Sequence, residues 1–467
     1  MSEELISAAE IAATIAGAKL LGDGSVRVTG VSTDARTVRP GELFAGLRGE
    51  RFDGTDFAGD ALGRGAAAVL VSRPVQGSDA PQIVVPDVGR AFTESAAAWR
   101  RRFQIPVILV SGSNGKTTTT QMIASVLRAA FGAQGSLATE GNFNNAVGVP
   151  ITLWRLRRTH RAAVVEAGMS HVGEMAELAA EIAPTVALVN NAQREHQEFL
   201  PNVEATAVEN GRAIEALPED GVAVFPADDA CAGIWCRDAA GRRTMTFATQ
   251  PGVAADVTAE VFSMASSTEV RMKTPAGDLM VRLAIAGAHN GRNACAAAAC
   301  ALAAGIPLEA VAEGLRRFRP VARRGVRTVL PSGVLLIDDT YNANPDSMRA
   351  AIRVLAGAPA PRVLIAGDMG EVGSRGAEYH EEIGRFAAES GVQKMLCCGE
   401  LMACAARAFG PGARHFAGFG ELQRQAQEEV SAMKGGTVLV KASNFMHFDR
   451  IVKALQEGGC RSDQTTN

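Results

Sequence analysis

Apolar residues along this chain fall into short continuous runs alternating with helical stripes. Runs at 105–110, 162–166 and 185–190 are bounded by turn residues and fit buried strands. Between them, Met122, Ile123, Val126, Leu127 and Ala130 recur at helical spacing and predict a helix over 118–131. Met175, Leu178, Ala179 and Ile182 predict another, and the alanine-rich stretch 293–304 a tightly packed third. Shorter runs at 66–71 and 83–85, separated by Gly, Pro and Asp, predict a small α/β unit near the N-terminus. A last set of runs at 334–337, 363–366, 395–398 and 437–440 alternates with helical segments and predicts a second open sheet, Rossmann-like in element order. Strand–helix alternation of this kind implies mostly parallel sheets covered on both faces. The expected organisation is three units, 1–103, 104–320 and 321–467.

Composition narrows the classes. The chain has 467 residues, 47% hydrophobic and 21% charged, which suits globular domains. A formal net charge of -3 speaks against nucleic acid as a partner, because neutralising phosphates takes an excess of Lys and Arg. No run approaches the roughly 20 apolar residues of a membrane helix, so no membrane insertion is expected. Residues 1–10 carry acids and no basic region ahead of an apolar run, so no secretory leader is expected. The eight cysteines, among them Cys460, form no C-x-x-C pair and read as reduced, mostly core thiols of a cytoplasmic protein. The basic runs 100–102 and 155–161 read as solvated helix ends. Nothing in the sequence demands more than a monomer.

The strongest chemical signal is Gly112-Ser113-Asn114-Gly115-Lys116-Thr117, placed between a strand and a helix that opens at Thr118. Glycines let backbone N–H groups turn inward around phosphate oxygens, and a helix N-terminus adds partial positive charge. Lys116 can reach the outer phosphates and Thr117 can ligate Mg²⁺. The longer form of the motif would have glycine at Val110, so this is the shorter G-x-x-G-K-T version. A phosphate loop alone cannot separate a ligase from a switch.

Further segments resolve that ambiguity. They are Ser32 to Arg36 with Pro40 to Phe44, Gly141 to Asn145, Gly287 to Asn293, Asp338 to Pro345 and Gly367 to Glu371. With the phosphate loop, their order and spacing resemble the ATP-dependent Mur ligases of peptidoglycan synthesis, from about residue 30 to about residue 450. The resemblance implies a small N-terminal α/β domain, a central P-loop ATPase domain with a parallel sheet and a C-terminal Rossmann-like domain. It implies ATP and Mg²⁺ as cofactors, and UDP-MurNAc-tripeptide and D-Ala-D-Ala as substrates. The implied chemistry runs through an acyl phosphate formed by attack of the tripeptide carboxylate on the γ-phosphate. A sister ligase adding a single amino acid, folylpolyglutamate synthase and a nucleotide-binding switch are the competing readings. The chain lacks the Asp-Asn-Pro-Arg segment of the first, and has an N-terminal unit that the second does without.

The resemblance also distributes roles. Lys116, Glu166 and His196 take the catalytic positions, with Thr117, Glu166 and His196 around metal. Gly112 to Thr118, including Ser113, Asn114 and Gly115, hold phosphates, while Asn290, Arg324 and Asp339 contact the rest of the nucleotide. Arg323, where relatives have glycine, competes with Arg324. Ser32, Asp34 and Arg36 match the uridine-diphosphate side, and Asn142, Asn144 and Asn145 the muramoyl-peptide loop. Tyr341, Asn342 and Asn344 are candidates for nucleotide or dipeptide contact. His289 reads as ordering its turn and Asn293 as packing. Relatives commonly carry a carbamylated lysine near the metal. No lysine lies between Lys116 and Lys273 here, and Glu209 is the expected substitute, with Glu204 and Glu215 as competitors.

Overall fold

The computed structural model describes residues 4–458; Met1 to Glu3, part of the stretch read for a leader, and Cys460 lie outside them. The chain builds three sheeted domains, each present where strand-like runs occur in the sequence. In the first, Val31–Ser32, Leu43–Ala45, Ala68–Val71 and Gln82–Val84 run parallel, and Lys19–Leu21 closes one edge antiparallel. Ile6–Ser7 pairs separately with Arg27–Val28.

The central domain is a nine-stranded sheet. Its parallel part runs in the order Val257–Ser263, Arg243–Ala248, Val222–Pro226, Val186–Val189, Val107–Ser111, Ala162–Glu166, Ser136–Ala138. Two antiparallel strands, Thr268–Thr274 and Gly277–Leu283, extend it. These two alternate exposed and buried positions, and their half-polar pattern hid them from a search for continuous apolar runs. The phosphate-loop helix begins at Lys116, two residues ahead of the expected Thr118, because Gly115 at φ +81° serves as its cap. Glycine tolerates that left-handed conformation without strain.

In the third domain Leu335–Asp338, Thr437–Lys441, Arg362–Gly367, Lys394–Cys398 and Ala413–Phe416 run parallel, with Val326–Val329 antiparallel at the edge. It has two cores of its own, one on each face of the sheet. The first domain differs. One of its faces and one face of the central sheet share a single apolar cluster running from Leu5 through Phe92, Trp99 and Trp154 to Trp235.

Two basic runs are only in part the solvated ends expected, with Arg101 and Arg102 exposed. Arg100 is 5% exposed and donates to the carbonyls of Ile182, Phe103 and Ala183. Arg157 donates to the carbonyls of Trp154, Leu156 and Thr29, bridging two domains, while Arg158 and Arg161 stay exposed. Helix and loop carbonyls at domain junctions need donors, and a long guanidinium supplies several at once. Among the described cysteines, Cys295, Cys300, Cys397 and Cys398 are buried, whereas Cys236 is exposed.

Candidate functional site

Parallel strands of the central sheet end together at the phosphate loop, the edge where open α/β sheets place ligands. A cleft of about 550 Å³ opens there, walled on one side by the central domain and on the other by the third. Ser113 to Thr118, Asn144, Asn145, Glu166, His196, Asn290, Arg324, Asp339, Tyr341, Asn342 and Asn344 all line it. Gly112 stands behind the loop. A Cβ on it would lie 2.8 Å from the Asn190 amide nitrogen, and its φ is +121°, so only glycine fits.

Three asparagines that sequence reasoning missed hold the loop open. Asn210 Oδ1 accepts from Ser111 Oγ at 2.5 Å and from the Gly112 N–H at 2.8 Å. Asn191 Oδ1 accepts from the Asn114 N–H at 2.9 Å, and both Asn190 and Asn191 donate to the Asn114 carbonyl. An amide side chain suits this place because it satisfies a donor and an acceptor at once. Asn293 accepts from Asn190 at 3.0 Å and donates to Asn290, so it belongs to this network rather than to simple packing.

Glu166 sits at the end of its strand and is 1% exposed. Its Oε1 accepts from Thr117 Oγ1 at 3.0 Å and Asn144 Nδ2 at 2.7 Å. Its Oε2 is buried with no partner among the described residues. A buried carboxylate oxygen beside a hydroxyl is a fit for a hard divalent cation. Among the described residues no group of three or more His, Cys, Asp and Glu side chains converges to hold a metal. A cation here would rest on one or two protein oxygens and draw its other ligands from phosphate and water, the habit of Mg²⁺.

Lys116 donates to the carbonyls of Gly112 at 2.6 Å and Ser113 at 3.1 Å, and pairs with Glu195 Oε1 at 2.9 Å. His196 pairs with two carboxylates in this arrangement. Its Nδ1 lies 2.5 Å from Glu371 Oε2 and its Nε2 3.5 Å from Glu195 Oε1. Burial alone would lower its pKa, but the two carboxylates outweigh burial and raise it to about 9.

Glu209 also departs from expectation. It is 3% exposed and does not line the cleft. Its Oε1 accepts the N–H groups of Gly173 and Met175 at 2.9 and 3.0 Å, where the helix Glu174–Ile182 begins. Four unpaired N–H groups at a helix start attract a carboxylate. The metal role expected of it has no geometric support.

On the third-domain wall, Arg324 stacks on Tyr341 with its guanidinium carbon 3.9 Å from the ring centre. Arg323 instead donates to the Thr340 side chain and carbonyl, and of the two arginines Arg324 lines the cleft. Asp339 pairs at 2.7 Å with buried Lys441, which also donates to the Asn342 carbonyl and so shapes the loop. Lys441 was missed because a lysine ending an apolar strand reads as solvent-facing. Asn344 caps the helix Pro345–Ala356 and donates to Asn114 Oδ1 at 2.9 Å, reaching across the cleft.

Three expected substrate residues of the first domain, Ser32, Asp34 and Arg36, lie outside this cleft, as does exposed Asn142. Arg36 folds back on Asp34 and its hydrogen bonds hold that carboxyl down at about 2. Arg194, also missed, bridges domains through Asp346 at 2.7 Å and Glu382 at 2.6 Å. The signal for Arg194 and Glu195 was present in the dense polar run Gln193 to Glu198, directly after a buried strand.

Comparison with known proteins fits this geometry. Residues 27–109 match the model described as Mur ligase family, catalytic domain, 110–301 the Mur ligase middle domain, and 316–444 the Mur ligase glutamate ligase domain. The chain is 37% identical over 434 residues to the UDP-N-acetylmuramoyl-tripeptide–D-alanyl-D-alanine ligase of Escherichia coli K12, covering 93% of this chain and 95% of that protein. The ligase of the same name from Bacillus subtilis is 33% identical, with 92% and 93% covered. Among solved structures, a crystal structure of MurF from Acinetobacter baumannii superposes with a TM-score of 0.90 at 30% identity, covering 98% and 100%. MurF from Thermotoga maritima in complex with ADP shares the fold, with a TM-score of 0.80 at 24% identity over 92% and 98%.

Proposed function

The chain belongs to the Mur ligase family, and we infer from that membership that it is the ligase joining D-Ala-D-Ala to UDP-MurNAc-tripeptide, driven by ATP. The observation that carries this reading is similarity along nearly the whole chain to enzymes of that name, with 37% identity over 93% of the chain in one case. The cleft supplies the parts the reaction needs.

A carboxylate is a poor electrophile, and phosphorylation gives it a leaving group. The terminal carboxylate of the tripeptide attacks the γ-phosphorus, the bond to the β-phosphate oxygen breaks and ADP leaves. The dipeptide amine then attacks the acyl carbon, the carbon–oxygen bond to phosphate breaks and an amide forms. Both steps concentrate negative charge near the γ-phosphate, so catalysis is mainly charge stabilisation and positioning.

The N–H groups of Ser113 to Thr118 and the Lys116 ammonium are assigned to the phosphates. Thr117 and Glu166 would hold Mg²⁺, which neutralises phosphate charge when bound. His196, held by Glu195 and Glu371, is assigned to the same charged centre beside them. Asn290, Arg324, Asp339 and Tyr341 are assigned to the nucleoside and its sugar. Asn144 and Asn145 serve the peptide, with Asn342 and Asn344 toward the dipeptide. Ser32, Asp34, Arg36 and Asn142 take the distant uridine and muramoyl end, which a long substrate reaches from a separate subsite. An acyl phosphate hydrolyses readily, so the third domain must close over it. ATP as phosphate donor goes with a cytoplasmic setting.

The test is phosphate release from ATP with UDP-MurNAc-tripeptide, with and without D-Ala-D-Ala, read alongside product mass. The expected result is release that needs both, with one pentapeptide per ATP. Release supported equally by single amino acids would contradict the reading.

A further inference from the structure

Three consecutive residues after the strand Val186–Val189 reach in opposite directions. Arg194 and His196 are held by carboxylates of the third domain, Asp346 and Glu382 for the first and Glu371 for the second. Glu195, between them, turns toward the phosphate loop and meets Lys116 Nζ at 2.9 Å. His196 adopts φ +51°, a left-handed conformation that costs a residue with a Cβ, so contacts on both sides must hold it. The Lys116 and Glu195 side chains are 14% and 11% exposed, so solvent screens their pairing only weakly.

An ammonium has three donors, and Lys116 spends them on the Gly112 carbonyl, the Ser113 carbonyl and Glu195. A phosphate can reach it only by displacing a partner. Glu195 Oε2 is already buried with no partner among the described residues. Losing Lys116 would leave the carboxylate with only the His196 ring at 3.5 Å and facing phosphate charge.

We propose that Glu195 is a positioning residue that holds the phosphate-loop lysine in check and links its release to the seating of the third domain through His196 and Glu371. The proposal rests on the reading that Lys116 serves nucleotide phosphates. Glu195 works against nucleotide binding and for catalysis. Its charge competes with phosphate for Lys116, and the same contact fixes the direction from which the ammonium meets the transferring group.

The experiment is calorimetric titration of ADP in EDTA into wild type, Glu195→Gln, Glu371→Gln and the double variant, with steady-state ligase kinetics on the same proteins and on Glu195→Asp. Glu195→Gln should bind ADP about tenfold tighter, since one charge-assisted hydrogen bond no longer opposes phosphate. Its KM for ATP should fall and its kcat should fall with it, while Glu195→Asp recovers most of kcat. Glu371→Gln, on a side chain 47% exposed, should tighten ADP roughly threefold and add little to Glu195→Gln, as residues in one network do. Unchanged or weaker ADP binding by Glu195→Gln overturns the proposal, as does full additivity of the two changes. A wild type that binds no ADP overturns the functional reading as well.

Discussion

The central domain meets its two neighbours in opposite ways. Toward the first domain it shares a continuous apolar core, in which Trp99 stacks on Trp154 with ring centres 5.6 Å apart. Toward the third domain the contacts are mainly polar: Arg194 to Asp346 and Glu382 and over the Tyr379 ring, His196 to Glu371, the Glu198 N–H to the Glu371 carbonyl, and Asn114 to Asn344. No apolar core cluster of the described residues spans that junction. Apolar burial is non-directional and is lost in bulk when a junction opens. Partly exposed ion pairs, unlike apolar surface, can exchange their partners for water when a junction opens. The first junction is therefore built to stay shut and the second to open and close, and the cleft lies at the second.

Substitutions can break this contrast, beginning with the fused side. Trp154→Ala should cost about 3–5 kcal/mol in chemical denaturation. The loss should fall on the first and central domains together, with the third domain's transition unmoved.

Glu181 tests the same side by pH. It is 4% exposed on the helix Glu174–Ile182, which packs against the helix Val88–Arg100 of the shared core. Burial pushes its carboxyl up to about 8. The unfolded chain releases that proton near 4.3 while the fold keeps it, so stability falls as pH rises through that window. Glu181→Gln should raise the thermal midpoint at pH 8 by about 2–4 °C and leave it near the wild-type value at pH 4. An equal gain at both values would show that the carboxyl does not titrate as described.

Arg194→Ala probes the opening side. The pairs it makes are partly exposed, so its folding cost should stay within about 1 kcal/mol. Ligase turnover should nevertheless fall, on the order of tenfold, because closure is lost. Smallest of all, raising NaCl from 0.05 to 0.5 M (on the order of a threefold shorter screening length) should weaken nucleotide-dependent closure and leave the fused junction intact, as scattering at both concentrations would report.

How much of this was legible in the sequence follows the same division. Continuous apolar runs revealed some parallel strands in each of the three sheets but only three of the seven in the central one, missing Val222–Pro226, Arg243–Ala248, Val257–Ser263 and Ser136–Ala138, while the Lys116 loop announced itself by composition and context. Glu166 was visible as a carboxylate at the end of such a run. The residues that hold the site in place were not. Asn190, Asn191 and Asn210 have no pattern distinguishing them from turn or helix asparagines until the fold brings them behind Gly112. Glu209 and Asn210 are neighbours on one helix. A one-residue turn of about 100° sends the first to a helix start and the second to the phosphate loop. Arg100 and Arg157 read as surface charge because their partners are backbone carbonyls, which no sequence pattern displays.

Domain motion is the most direct test of the contrast. Fluorophore pairs at the exposed positions Gln76 and Glu219, and at Glu219 and Glu400, report the first and second junctions separately in a background without exposed Cys236. Energy transfer is followed while ATP and UDP-MurNAc-tripeptide are added. The account predicts an unchanged distance for the first pair and a shift to one closed value for the second, abolished by Arg194→Ala. Movement of both pairs together, or of neither, would contradict it.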